Sequence, residues 1–460
     1  MVAVATGKGR LQRSMKVFGT LLLTLSTSTP ASSVFTVVPG LLLASGSGAF
    51  LSMALAAVVG LFMAFVYAEL SSAFPVAGGE YAIVGRVMGA LPGFMVMGVY
   101  LVVSLLIPAV MALAIATYLG VLNPTLPTIP TAILTVALAT LIGILNIRTN
   151  AVLTGVFLLV EMLALTVMAA LGFFHVSRPL TDLILHPVLL SGTSLVHAPI
   201  AIIGMTTSIA IFAYNGFGAA VNFSEEMHEP ERHVARAILW ALAITVIAEL
   251  LPVTGVLMGA PNLKALFNGG NMFGEFIAGR GGSALNTGIS LGVALAIFNA
   301  TIAVLLVAAR VTFSTGRDGV WSRPISQALA LTHGRFHSPW VATLVCGVLT
   351  ALACLVNLNL LLVLTGSCLI LVYSSLCLAA LIGRWGGRTA HGHYRMPWFP
   401  LAPIAALLVM VYVVCTSWFD AMIGRPSLFA TLGIVVVSAC YYALGPRRRR
   451  VWKLRGPEDS

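Results

Sequence analysis

Two acidic side chains interrupt long apolar stretches of this 460-residue chain, Glu161 in VFLLVEMLAL and Glu249 in LWALAITVIAELLPVTG. A charged side chain at a bilayer centre costs roughly 2.5–3.5 kcal/mol on insertion scales, so each acid is a functional candidate by default. The proton occupancy of a desolvated carboxyl follows the accessibility of its cavity, which is what a proton-coupling group requires. Glu161, midway along its stretch, takes that role in our reading, with a hydrogen-bonded lock between helices as the alternative. Glu249, nearer the end of its stretch, is read as structural. Asn299 and Thr301 add a polar pair in the apolar AIFNATIAV.

Two stretches also break the pattern of a continuous helix. The first runs VFGTLLLTL, then Ser26-Thr27-Ser28-Thr29-Pro30-Ala31-Ser32-Ser33, then Val34-Phe35; the second runs IAIIGMTTSIAI, then Phe212-Ala213-Tyr214-Asn215-Gly216-Phe217-Gly218. Backbone unwound at membrane depth is tolerated only where it lines a cavity or meets a ligand. Half-helix ends then offer N–H groups to an anion and carbonyls to a cation, which together suit a zwitterion. Interrupted segments at corresponding places in two halves point to a secondary transporter with inverted repeats and a midplane site. Close packing by small residues is the plainer alternative.

The elements that position these residues are membrane spans. Only 8% of the residues are charged, against roughly 25% in soluble domains, 59% are hydrophobic and the mean hydropathy is +1.01. This excludes a soluble enzyme. Apolar runs near 17–43, 49–72, 90–118, 129–147, 150–174, 199–223, 236–258, 286–310, 339–356, 359–382, 398–419 and 427–445 predict twelve transmembrane helices. Pro39, Pro92, Pro108 and Pro252 fall within them. The net charge of +11 implies no nucleic-acid partner, because the basic residues are few and scattered. Sorted by loop, all but Arg178, Lys264, Arg280 and Arg425 fall on one side, 21 of 25, which places both termini in the cytoplasm.

The six cysteines lie in the last four spans and read as filler, with no disulfide or metal spacing. His391 and His393 read as solvated rather than as metal ligands. No cofactor is expected, and no nucleophile and base fall together within a span, so no enzymatic activity is expected either.

Four blocks carry a family resemblance. Ala68-Glu69-Leu70-SSAFPVAGGEY is similar to an AEL…GG.Y stretch, and Ala31-Ser32-Ser33-Val34-Phe35 stands in the place of a G-S-G-(I/V)-F unwound segment. FAYNGFG with Ser224-Glu225-Glu226-MHEPERHVARA resembles FAY.G(F/W)E…EE..NP.R, and Arg310-VTFSTGRDG resembles R..(Y/F)…RDG. The chain thus resembles amino acid permeases of the amino acid–polyamine–organocation superfamily. The resemblance implies an all-α integral membrane protein with a LeuT-type 5+5 inverted repeat and discontinuous helices 1 and 6. Its divisions would be an N-terminal tail 1–15, repeats 16–174 and 199–382 around an outer loop 175–198, a peripheral pair 383–445 and a basic tail 446–460.

Carried over by position, the resemblance assigns Ala31, Ser32 and Ser33, with Ser28 beside them, to a substrate carboxylate. It assigns Phe212, Ala213 and Asn215, with Tyr214 and Gly216, to its amine, Phe212 also serving as an aromatic gate. Glu161 stands where some similar permeases place a Lys, and Asn299 and Thr301 become candidates for a cavity or sodium contact. Two departures matter. Ala31 and Ser33 replace glycines, and Gly218 stands where many members have Glu, so a role carried by that Glu does not transfer. Tyr373 is a candidate outer gate, with ordinary aromatic packing as the alternative. Glu225, Glu226, Glu229 and Glu231 with Arg232 and Arg236, and the Arg317-Asp318-Gly319 turn, are expected to form inner-face ion pairs.

The function implied is alternating-access transport of an amino acid in the cytoplasmic membrane, proton-coupled, with a neutral amino acid preferred. Sodium coupling, exchange, and polyamine or related amine substrates stay open. A non-transporting sensor would need a longer tail, and a major-facilitator carrier a long loop between spans 6 and 7. The Gly120–Pro130 loop has no Cys for a disulfide-linked accessory subunit. The tail PRRRRVWKLR reads as a contact for anionic membrane lipids or as a topology anchor.

Overall fold

The computed structural model describes residues 7–8, 11–120, 125–269, 271–419, 424–445 and 452–455. Arg10, loop residues 121–124 and Arg447–Arg450 of the basic tail lie outside them. The first apolar run forms α1 (Val17–Ser28), α2 (Pro30–Thr36) and α3 (Val38–Ser45). There follow α4 (Ala49–Ala73), α5 (Glu80–Met88), α6 (Ala90–Leu119), α7 (Thr128–Gly143) and α8 (Ile147–Phe173). The second half holds α9 (Ile200–Ala213), α10 (Pro230–Gly259), α11 (Ser283–Arg317), α12 (Trp340–Ala353) and α13 (Leu358–Trp385). The chain closes with α14 (Leu401–Phe419) and α15 (Gly424–Leu444).

All twelve apolar runs fall on helix. Among the described residues nine stretches are long and apolar enough to cross a membrane, Val17–Ala73 counting as one, while Thr128–Gly143 and Trp340–Ala353 are shorter. Pro39 lies in the first turn of α3, where its missing N–H costs nothing, and Pro92 lies in the first turns of α6. Pro108 and Pro252 are internal. Helix α8 starts where Asn146 accepts from the Thr149 amide at 2.8 Å. The 175–198 connection is structured, with a short helix Leu180–Leu185 and an antiparallel hairpin pairing Val188–Ser191 with Ser194–His197.

The described residues nearest the two chain ends lie on one face, the terminal face. Gly7–Lys8 pairs with Leu331–Thr332, and the Met15 amide donates to the Glu226 carbonyl at 2.9 Å. At the other end of the chain the Arg455 amide donates to Asp318 Oδ1 at 3.0 Å, and the Trp452 ring packs on Phe94. The 35-residue α11 is about 52 Å long at 1.5 Å per residue, longer than a bilayer core. That length carries Arg310 and Arg317 to the terminal face, where both are buried.

Candidate functional site

The break in the first run is narrower than the sequence implies. Ser26–Ser28 and Pro30–Ser33 are helical, and only Thr29, in the left-handed region at φ 47°, separates α1 from α2. The sixth run stops at Ala213, turns through Tyr214–Gly216 and continues as a 3₁₀ segment, Phe217–Glu226. The two breaks meet. The Ser33 hydroxyl donates to the Ala213 carbonyl at 2.9 Å, and Gly216, at φ 111°, lies so close that a Cβ there would stand 2.6 Å from Ser28 Cα. Only glycine fits both that conformation and that approach.

Glu161 reaches this junction from α8. Its Oε1 accepts the Ala31 amide at 2.7 Å, at the start of α2, while its Oε2 has no partner. An opened helix leaves its first amides without intrahelical acceptors, and here the carboxylate of another span meets one of them. Asn299 adjoins the same carboxyl and donates to Ser26 Oγ at 3.1 Å, its own Oδ1 unmatched. Ser26 Oγ in turn donates to the Thr154 carbonyl at 3.4 Å.

Of the other expected site residues, Ser32 donates to Met111 Sδ at 3.3 Å, and Ser28 and Thr301 return their hydroxyls to their own helices. Thr301 is therefore buried near the junction without a bond into it. Tyr214 is buried with its hydroxyl unmatched. The Asn215 side-chain Oδ1 accepts from the Gly216 amide at 2.8 Å and from the Tyr373 hydroxyl. Phe212, Asn215 and Tyr373 line a cavity of about 250 Å³ with residues of α13, α14 and α15.

Glu249 comes to the same centre, a position its place in the sequence does not reveal. It is fully buried, with Ser33, Tyr214 and Glu161 as its polar neighbours, and neither carboxylate oxygen has a partner. Its signal in the sequence is the bare presence of an acid in an apolar run.

A cavity of about 890 Å³ lies on the side away from the terminal face, lined by Phe35, Tyr118, Asn271, Phe273 and Asn286 among others. Phe35 of α2 lies edge-on to Tyr118 and Phe273, with ring centroids at 6.1 and 5.5 Å.

At the terminal face buried charges are paired. Arg310 grips Glu226 through two bonds of 2.5 and 3.0 Å, and Arg317 grips Glu225 at 2.6 and 2.8 Å. Glu225 Oε1 also accepts the Ala77 amide at 2.8 Å, and Tyr81 donates to Asp318 at 2.9 Å. The expected inner-face cluster thus divides. Glu225 and Glu226 pair with arginines of α11, whereas Glu229 meets Arg232 at 3.6 Å and Glu231 meets His393 at 3.8 Å, both exposed. His391 instead lies 2.8 Å from the Ala73 carbonyl, so the two histidines serve different partners.

Tyr373 lies beside the second break, edge-on to Tyr67 at 6.0 Å, with its hydroxyl donated to Asn215 Oδ1. The place of the missing acid is explained as well. A Cβ on Gly218 would lie 2.4 Å from the Tyr67 ring, which fills the space a longer side chain would need.

The amino acid permease family profile matches residues 16–440. Among curated proteins the chain is 26% identical to the methylthioribose transporter of Bacillus subtilis (strain 168), over 88% of each chain. It is 22% identical to the branched-chain amino acid permease BcaP of Lactococcus lactis subsp. cremoris, over 91% of this chain and 92% of that one. It is also 26% identical to Asc-type amino acid transporter 1 of Mus musculus, over 81% and 69%.

Proposed function

Because the chain belongs to the amino acid permease family, we propose that it is a secondary transporter of a neutral amino acid, working by alternating access and driven by protons. We read it as twelve crossings in a 5+5 inverted repeat, with breaks in the first and sixth. The 21 basic residues on one side put the terminal face in the cytoplasm. The observation that carries the functional reading is the bond from the Ala31 amide to Glu161 at the place where the two breaks meet. A buried carboxylate with one oxygen spoken for and one free is poised to take a proton, and protonation weakens its hold on the amide. Ala31, Ser32 and Ser33 then serve the substrate carboxylate, and Ala213, Tyr214 and Asn215 its amine, with Phe212 over it. In this scheme the paired charges of the terminal face hold that side shut while the far cavity admits substrate.

One observation favours a second reading. The amide assigned to a substrate carboxylate is already occupied by Glu161. A substrate without a carboxylate, such as the one for which the methylthioribose relative is named, would leave that bond in place.

Both readings are tested by uptake into proteoliposomes of the twenty amino acids and methylthioribose under imposed proton or sodium gradients, with wild type and Glu161→Gln. The first expects a proton gradient to drive accumulation of an amino acid in wild type and not in the variant. Full accumulation by the variant removes Glu161 from coupling, and a sodium requirement removes the proton.

A further inference from the structure

Glu80 opens α5 and is 3% exposed, yet among the described residues it has no cationic partner of the kind that Glu69, Glu225 and Glu226 have. Its Oε1 accepts the Tyr67 hydroxyl at 3.0 Å, and its buried Oε2 has no partner. Asn222, from the 3₁₀ segment, lies against it, donating Nδ2 to the Tyr100 hydroxyl at 2.9 Å while its Oδ1 is also buried and unmatched. The groups acting on the carboxyl are thus Tyr67 of α4, Tyr100 of α6, Tyr373 of α13 and Asn222. None of these is a cation. The charged pair Arg317 and Asp318 is engaged by the next residue, Tyr81.

Glu80 Oε2 and Asn222 Oδ1 are buried acceptors left unmatched, and although the Tyr100 and Tyr67 hydroxyls, the Glu80 amide and Asn222 favour the ionised carboxyl, the desolvation of a charge with no counter-charge outweighs them. A proton on Oε2 relieves both at once, by making the carboxyl neutral and giving Asn222 Oδ1 a donor. Turning the Asn222 amide around would feed Oε2 from Nδ2, but it would leave the charge buried without a counter-charge.

We propose that Glu80 is a proton-binding residue of this carrier, holding its proton while the terminal face is closed and releasing it to water when that face opens. In keeping with this, burial pushes its carboxyl up to about 7. The sign follows. Between the ordinary 4.5 and about 7 the closed form binds a proton that a hydrated Glu80 would not, so the closed form loses stability as pH rises through that window. The site is coupled to the helix breaks by contact, since Tyr67 packs on Tyr373 and Tyr373 bonds to Asn215.

This rests on the transporter reading only in that the terminal face opens, and the first test needs no transport. Infrared titration of the full-length protein in lipid bilayers is expected to show a protonated-carboxyl stretch that bleaches near pH 7 and is missing from Glu80→Gln. Tyr67→Phe, which removes a donor to the ionised form, is expected to move the midpoint up by about one unit. An unchanged band in Glu80→Gln, or an unmoved midpoint in Tyr67→Phe, overturns the proposal in favour of an ionised Glu80 facing a turned Asn222. In proteoliposomes, raising the pH on the terminal-face side through 7 is expected to speed wild-type counterflow at least twofold and leave Glu80→Gln unchanged. The same pH response in the variant overturns the release step, whereas loss of transport altogether in wild type is a failure of the transporter reading and leaves the infrared result standing.

Discussion

At the terminal face Glu225 and Glu226 each meet an arginine through two hydrogen bonds, whereas Glu161 and Glu249, no less buried, leave three carboxylate oxygens unmatched. The two regions hold the same kind of side chain in the same kind of surroundings. What separates them is the counter-charge. An acid matched by a guanidinium has its geometry and its charge state settled together, so it serves as a fastening. An acid left with free lone pairs has neither settled, so it responds to a proton or a ligand. The fastening lies where the two ends of the chain also dock, and the responsive pair lies where two helices are broken.

The comparison is most sharply broken at the fastening. Arg310→Met leaves Glu226 charged, buried and alone, which should cost about 3–5 kcal/mol and be visible as a large drop in melting temperature in detergent. Replacing both partners, Arg310→Met with Glu226→Met, should recover most of that loss. If the single and the double variants melt alike, the pair is not what holds this face.

The next effect concerns the junction that brings the responsive acids together. Gly216→Ala forces a side chain into the left-handed region against the Ser28 backbone and should cost about 1–3 kcal/mol, with at least a tenfold loss of uptake. Wild-type uptake by this variant would mean that the two breaks need not touch.

Glu161→Gln should behave in the opposite way to Arg310→Met. The amide side chain can keep the bond to Ala31, so stability should change by about 1 kcal/mol or less while proton-driven accumulation is lost. The smallest stability effect is expected of Glu249→Gln, where no bond is broken and a buried acid is made permanently neutral; it should melt within about 0.5 kcal/mol of wild type or slightly above it. A large loss in either variant would place that acid among the fastenings.

Much of this architecture is legible in the sequence because hydropathy is local. Each apolar run predicts a helix irrespective of its neighbours, and every run is helical, the first in three pieces and the sixth in two. The breaks are legible for a similar reason, since Thr29-Pro30 and Asn215-Gly216 disfavour a helix by their own backbone chemistry. The width of the first is not, because Ser26–Ser28 and Pro30–Ser33 are weak helix formers that packing nevertheless holds helical. Tyr373 shows the same limit. Its place on α13 follows from hydropathy, but its partner Asn215 lies 158 residues away in the chain.

By itself, then, the sequence determined that this is a multi-span membrane protein of the permease family, where its helices run and where two of them break. Those properties follow from residue type and near-neighbour spacing. Only the tertiary structure decided which acids have partners. Glu226 and Arg310 are 84 residues apart, and Glu161 and Ala31 are 130 apart. Pairing at such distances depends on which helix faces meet, and it separates a carboxylate that fastens the molecule from one that can take up and release a proton.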